Sequence, residues 1–212
     1  MDSFSKNIAS LVTSLPTRFF KKAAATSPHL LKSDIASINH WLGGGLPSGK
    51  VYEWGLPPGQ NTRSVILSFL RERSDLCLWI YNGSERKVYP PSWAAKGVDL
   101  DKTYFVDSAR PVDELKCLFM EKLFSFIVID SPERLSKADM AFLSAQARRF
   151  GISIFVLRGY YLSPLKGNPF ASVRLNCSYI PSKASYLLRK VRGNMEQQKL
   201  VVKEDRVLHY AC

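Results

Sequence analysis

Short, continuously apolar runs alternate along the chain with runs whose apolar residues recur at helical spacing. The continuous runs predict buried strands, because a strand covered on both faces has no polar side. They lie at residues 50–54, 76–81, 103–106, 124–130 and 152–157. The periodic runs predict helices at residues 37–42, 64–72, 93–96, 112–123 and 136–149. This alternation predicts an α/β fold, a mostly parallel sheet with helices on both faces.

The two ends of the chain differ from this central pattern. After Pro164, short runs at residues 171–178, 186–191, 200–202 and 207–210 predict antiparallel strands that extend one edge of the sheet. Residues 1–33 form a predicted N-terminal arm with Phe4, Ile8 and Leu11 at helical spacing, followed by the aromatic-basic cluster at residues 19–22. This arm either docks on a partner or packs on its own domain, and residues 34–212 form the predicted core domain.

The chain is strongly basic, with 30 Lys and Arg residues against 18 Asp and Glu residues and a formal net charge of +12. This excess favours polyanionic partners, nucleic acid first and an acidic protein or membrane surface second. The apolar runs of the chain are shorter than the roughly 20 residues of a membrane span, so no membrane span is expected and no membrane partner is predicted. The four cysteines form no CxxC pair and the three histidines complete no zinc spacing. We therefore expect a reduced, cytoplasmic protein without a bound metal.

A predicted strand, a loop with glycines and a predicted helix follow one another in residues 50–72, as in the phosphate-binding motif G-x-x-x-x-G-K-[ST]. Gly55 stands at the first glycine, and Thr62 at the hydroxyl residue that holds magnesium. Gln60 replaces the second glycine, and Asn61 replaces the lysine. Gly59 lies inside the loop.

These replacements predict a degenerate nucleotide site. The neutral side chain of Asn61 removes a charge next to the phosphates, and Pro57 and Pro58 remove two N–H donors. Arg63 compensates only if its side chain turns back toward the loop. We predict no catalytic residue and no resident cofactor, and leave weak binding of ATP with magnesium as an alternative.

Asp130 ends the strongest predicted strand, at the place where such proteins keep the acid that orients magnesium. With the lysine missing, the favoured interpretation of Asp130 is structural, as a helix or turn cap before residues 131–133. The candidate nucleotide-site residues are thus Gly55, Gly59, Gln60, Asn61, Thr62 and Asp130.

The sequence resembles the RecA recombinase core and, more closely in size and loops, the ImuA group of RecA-like proteins. Residues 37–53, 90–100, 126–130 and 170–175 carry the resemblance. It implies a RecA-like P-loop NTPase fold and a role beside error-prone DNA polymerases in SOS damage tolerance. Two departures argue against ATP-driven strand exchange: Arg158 stands where RecA has a glutamine, and the long carboxy-terminal domain of RecA has no counterpart.

Basic residues accumulate after the last strongly apolar run, and tyrosines are interleaved with them. Cations that contact phosphates, beside rings that stack on bases, are typical of proteins that bind single-stranded DNA. Glycines and prolines in residues 159–169 predict a mobile loop here. The alternative is a solvated basic face with tyrosines packed at the sheet edge. The DNA-binding candidates are Arg158, Lys166, Arg174, Lys183, Arg189, Lys190 and Arg192.

We therefore expect a RecA-like accessory protein of DNA repair that binds single-stranded DNA. A RecA-type recombinase or an error-prone polymerase is the expected protein partner, and self-association is a further option. Two other functions stay open: a DNA-dependent ATPase with an unusual loop, and a protein-binding regulator without DNA contact.

Overall fold

The structure is a computed structural model and describes residues 29–71, 73–165 and 167–207. The strands in these residues are β1 (Leu30–Leu31), β2 (Leu46–Pro47), β3 (Val51–Gly55), β4 (Cys77–Tyr81), β5 (Thr103–Asp107), β6 (Phe126–Asp130), β7 (Ser153–Arg158), β8 (Val173–Ile180), β9 (Ser185–Arg192) and β10 (Lys199–Lys203). The α-helices are α1 (Ala36–Trp41), α2 (Arg63–Leu70), α3 (Pro90–Ala94), α4 (Pro111–Glu114), α5 (Lys116–Met120), α6 (Lys137–Phe150) and α7 (Glu204–Val207).

One eight-stranded sheet organises the molecule, in the order β10-β9-β8-β3-β7-β6-β4-β5. The strands from β8 to β5 in this order are parallel, whereas β9 and β10 continue the sheet as antiparallel strands. The registers Gly55↔Arg158 and Tyr81↔Asp130 bring the carboxyl ends of four strands to one edge. The α/β architecture with antiparallel edge strands is confirmed.

The central strands are buried on both faces, which explains their continuously apolar sequences. On one face, the Phe69 ring centroid lies 6.1 Å from that of Trp54 and 5.6 Å from that of Phe155. On the other face, Ile129 and Val156 belong to a second buried cluster with residues of α6. Each strand therefore fills two cores at once.

The structure differs most clearly from the predicted elements in two places. The predicted helix at 112–123 is two short helices separated at Leu115, whose φ is −122°. Val112, Leu115, Leu118 and Phe119 still pack against the second core cluster, whereas Met120 and Leu123 are about half exposed. Of the predicted strand at 207–210, Val207 ends helix α7, and the remainder lies outside the described residues.

The N-terminal boundary lies mostly outside the described residues. Leu30 pairs with Pro47, and Leu31 is buried in the core, so residues 30–31 already belong to the folded body. Residues 1–28 are not described, and the arm stays a prediction. Among the described helices, none combines the length and hydropathy that a bilayer crossing requires.

Candidate functional site

The loop between β3 and α2 starts at Gly55 and ends at Thr62. A Cβ atom on Gly55 would lie 2.6 Å from the carbonyl oxygen of Tyr160 and closer still to Oδ1 of Asn176. Glycine is therefore required at this position by the chain segment that crosses the strand end. Gly59 has a left-handed φ of 80° and serves the turn of the loop.

The next two side chains of the loop hold it in place. Oε1 of Gln60 accepts a hydrogen bond of 3.0 Å from the N–H of Tyr179 in β8. Oδ1 of Asn61 accepts one of 3.0 Å from the hydroxyl of Ser64 in α2. The buried hydroxyl of Thr62 has no hydrogen-bond partner among the described residues. The replacements at 60 and 61 thus tie the loop to the neighbouring strand and helix.

Arg63 and Asp130 form a bidentate ion pair between the start of α2 and the end of β6. Nε of Arg63 donates to Oδ2 of Asp130 at 2.6 Å, and Nη2 donates to Oδ1 at 2.5 Å. The side chain of Asp130 is 3% exposed and that of Arg63 is 19% exposed, so little water competes with the pair. The carboxylate of Asp130 accepts from Arg63 and from the Ser131 hydroxyl, and no hydrogen bond from a backbone N–H to it is seen among the described residues, so it acts here as an ion-pair partner and not as the predicted cap.

This arrangement does not fit a magnesium-bound triphosphate. Such a ligand needs a lysine at its β- and γ-phosphates and a free aspartate oxygen near the metal. Asn61 stands at the lysine position, and Arg63 binds both oxygens of Asp130. The hydroxyl of Thr62, which has no hydrogen-bond partner among the described residues, matches the hydroxyl residue of the phosphate-binding motif. The charged side chains around it differ from those of the motif.

A cleft of about 810 Å³ opens beside the ion pair, at the carboxyl ends of β4, β6 and β7. Arg86, Arg134 and Lys137 line it together with Glu85 and Glu133. Its size is that of a small-molecule site, and its lining carries more basic than acidic side chains.

Ser131 brings a second guanidinium group to the ion pair. Its Oγ accepts hydrogen bonds from Nη2 of Arg63 at 3.0 Å and Nε of Arg86 at 3.4 Å. The same hydroxyl donates to Oδ1 of Asp130 at 3.0 Å. Burial lowers the pKa of Arg86 and the neighbouring Arg63 cation lowers it further, although an arginine stays protonated at neutral pH. Arg63 therefore bonds to Asp130 directly, whereas Arg86 is linked to it through the Ser131 hydroxyl.

Glu53, at the centre of β3, holds two of the predicted DNA-binding residues inside the protein. It is fully buried; its Oε1 accepts from Nε of Arg158 at 2.9 Å, and its Oε2 lies 3.4 Å from Nε of Arg174. Oε2 also accepts the backbone N–H of Asn168. The side chains of Arg158 and Arg174 are 11% and 4% exposed, so we exclude both from the proposed DNA surface.

The predicted mobile loop at 159–169 is tied down at several points. The side chain of Asn176 accepts from the N–H of Leu162 at 2.7 Å and donates to its carbonyl oxygen at 2.9 Å. Nη2 of Arg174 donates to the carbonyl oxygen of Ser163 at 2.6 Å. Lys166, another DNA-binding candidate, lies outside the described residues.

The outer strands expose a basic sheet face, which we define as Arg189, Lys199 and Lys203. Arg189 pairs with Lys199 across β9 and β10, and Lys203 lies two strand periods further along β10. Side chains two residues apart share a face, so these three exposed cations lie together. Strands β8, β9 and β10 contain no acidic residue. A cavity of about 350 Å³ beside Arg189 is lined by Tyr161 as well.

The other C-terminal candidates lie apart from this face. Lys190 donates to the carbonyl oxygen of Met195 at 2.5 Å, and Arg192 donates to that of Pro169 at 2.8 Å. Lys183 is exposed in the turn between β8 and β9. Six of the seven candidates lie in the described residues. Of these six, Arg189 belongs to the basic sheet face, and Lys183 is exposed outside it.

Several residues of these sites were not among the sequence-based candidates. Lys199 and Lys203 are separated by an even number of residues in a strand-like run, and that spacing is the signal that places them with Arg189. Glu53 is a single acid inside an apolar run, which indicates a buried partner. Nothing local to Arg86 distinguishes it from other surface arginines.

The comparisons with known proteins agree with this architecture. No family model matches the sequence, and neither does any curated protein. Among solved structures, the chain is similar to the RadB recombinase, with a TM-score of 0.66 and 14% sequence identity over 81% of this chain and 94% of that chain. This likeness does not identify the ImuA-like subgroup, which stays a prediction. The chain has the RecA fold.

Proposed function

We propose that the protein is a RecA-like accessory factor of DNA recombination or repair that binds single-stranded DNA without hydrolysing ATP. The observation that carries the proposal is the Arg63–Asp130 ion pair. It neutralises the acid that a RecA-type ATPase leaves free for magnesium, within a fold similar to that of the RadB recombinase.

We expect no magnesium-dependent ATP hydrolysis above background, with or without single-stranded DNA. The loop has no lysine, and Arg63 engages the aspartate, so neither the phosphates nor the metal meet their usual ligands. Phosphate release with purified protein measures this. The Asp130→Asn variant serves as control for contaminating enzymes. Turnover that requires magnesium and disappears in Asp130→Asn would favour the alternative of a true ATPase with an unusual loop.

The basic sheet face supports DNA binding in this proposal. Arg189, Lys199 and Lys203 are exposed and form no ion pair among the described residues, although Glu204 and Asp205 follow Lys203, so their charge is available to a phosphate backbone. Tyr161 is 49% exposed beside Arg189 and offers a ring on which a base can stack. Cation and ring side by side are the combination that single-strand binding uses.

Replacing Arg189, Lys199 and Lys203 by alanine should lower the slope of log K against log salt by about 2, since each lost phosphate contact on a single strand removes roughly 0.7. Fluorescence anisotropy with a labelled oligo-dT at several salt concentrations measures the slope. Tyr161→Ala should weaken binding and leave the slope unchanged. The matched control replaces the exposed Lys50, Lys122 and Arg148, which lie elsewhere. Equal slopes for the triple variant and the control would contradict this surface.

The alternative of a protein-binding regulator has its own observation. Tyr104, Met120 and Leu123 are each about half exposed near the free edge strand β5, and such a patch suits a protein partner. The partner in this alternative would be a RecA-type recombinase, an error-prone polymerase or a second copy of this chain. Salt-independent or absent DNA binding would favour this alternative.

A further inference from the structure

The surroundings of Ser131 carry more positive than negative charge. Arg63 and Arg86 both donate to its hydroxyl, and Asp130 is the one carboxylate that Ser131 contacts. Arg63 satisfies Asp130 through two hydrogen bonds, whereas Arg86 reaches a neutral hydroxyl and has Glu85 as a nearby anion. With Asp130 occupied by Arg63, the basic side chains Arg86, Arg134 and Lys137 outnumber the acidic Glu85 and Glu133 in the cleft lining, and this excess favours an anionic ligand next to Arg86.

A buried amide in the lining of the cleft beside Arg86 is an independent observation that points to a ligand. Asn168 lines the cleft and is 2% exposed, and its Nδ2 has no hydrogen-bond acceptor among the described residues. A buried amide donor without a partner is rare in a folded protein. Arg134 and Lys137 bring further positive charge to the lining, and Lys137 begins α6, whose N-terminus favours anions.

We propose that this cleft binds a terminal phosphate group without a metal ion, with Arg86 as its main donor. A phosphate fits better than a carboxylate because its three terminal oxygens accept several guanidinium N–H groups at once, and because a terminal phosphate carries close to two negative charges at neutral pH. Magnesium has no role, since Arg63 already neutralises Asp130.

The phosphate has two plausible sources with the same chemistry. It belongs either to a small phosphorylated compound or to the end of a DNA strand. Inorganic pyrophosphate, and oligo-dT with and without a 5′-phosphate, separate these sources. Isothermal titration of the full chain in EDTA, repeated with magnesium, measures binding of each probe.

We expect binding in EDTA that magnesium does not strengthen. Arg86→Gln should weaken it about tenfold or more, because a charged hydrogen-bonding partner is lost. Arg148→Gln, which removes the same charge at the exposed far end of α6, should leave it unchanged. A pyrophosphate signal alone indicates a small compound, and a gain from the 5′-phosphate indicates a DNA end.

Three results would overturn the inference: no detectable binding of either phosphate at about 10 mM, a requirement for magnesium, or equal affinity in Arg86→Gln and the unchanged protein. The proposed DNA surface is tested separately, since Arg189, Lys199 and Lys203 do not line this cleft. If the protein binds unphosphorylated oligo-dT but neither binds pyrophosphate nor gains affinity from a 5′-phosphate, this inference is refuted and the proposed function stands.

Discussion

Replacing Glu53 by glutamine should destabilise the protein by about 3–5 kcal/mol, the usual effect of removing one partner from a buried ion pair. Glutamine keeps the shape of the side chain but removes the charge that Arg158 and Arg174 share. The side chain of Arg174 is 4% exposed and that of Arg158 is 11% exposed at the edge of the cleft, so both guanidinium groups are largely shielded from water. The substitution thus leaves buried positive charge with no counter-ion.

Urea unfolding followed by tryptophan fluorescence measures this effect. With an m value of about 2 kcal/mol/M, the midpoint should fall by roughly 2 M. Glu121→Gln removes the same charge at an exposed position and should shift the midpoint little. If Glu53→Gln unfolds at the same urea concentration as the unchanged protein, the network does not stabilise the fold.

The network explains why the basic residues of the sequence were a poor guide to a binding surface. Arg158 and Arg174 looked like neighbours of Arg189 because they follow the same apolar run. Their charges are used by Glu53, which lies more than a hundred residues earlier in the chain. Sequence composition counts charges, but it does not show which of them are already paired across a sheet.

Strand alternation, by contrast, was available from the sequence. Arg189 and Lys190 are adjacent and therefore point to opposite faces. Lys190 bonds to the chain near Met195, whereas Arg189 shares a face with Lys199. The positions of the basic residues on alternating faces of residues 185–203 predict this basic face, whereas the number of nearby basic residues does not.

The parallel sheet and its edge were predictable because buried strands have continuous apolar sequences and parallel strands end at a common edge. That edge also brings Thr62 and Asp130 into one region. The geometry of Arg63 was not predictable, because its ion pair joins residues 67 positions apart in sequence. The side chain of Arg63 does extend toward the loop, but it binds Asp130 and is not positioned to replace the missing lysine at a phosphate.

Replacing Arg63 by methionine should cost about 2–4 kcal/mol, somewhat less than a fully buried pair because Arg63 is 19% exposed. Asp130 would then be a buried carboxylate without its counter-ion. The double variant Arg63→Met, Asp130→Leu should be more stable than Arg63→Met alone, since both charges are then absent. Urea unfolding of both single variants and the double variant gives the coupling energy.

Magnesium provides the decisive comparison, because the proposal holds that Arg63 takes the place of a metal. Adding magnesium should raise the unfolding midpoint of Arg63→Met, whose Asp130 oxygens become available, through binding to the folded state. The unchanged protein and the double variant should show no such rise. If Arg86 pairs with Asp130 in the Arg63→Met variant, that variant will lose little stability and magnesium will not raise its unfolding midpoint. The Arg63–Asp130 ion pair would then not be what excludes the metal.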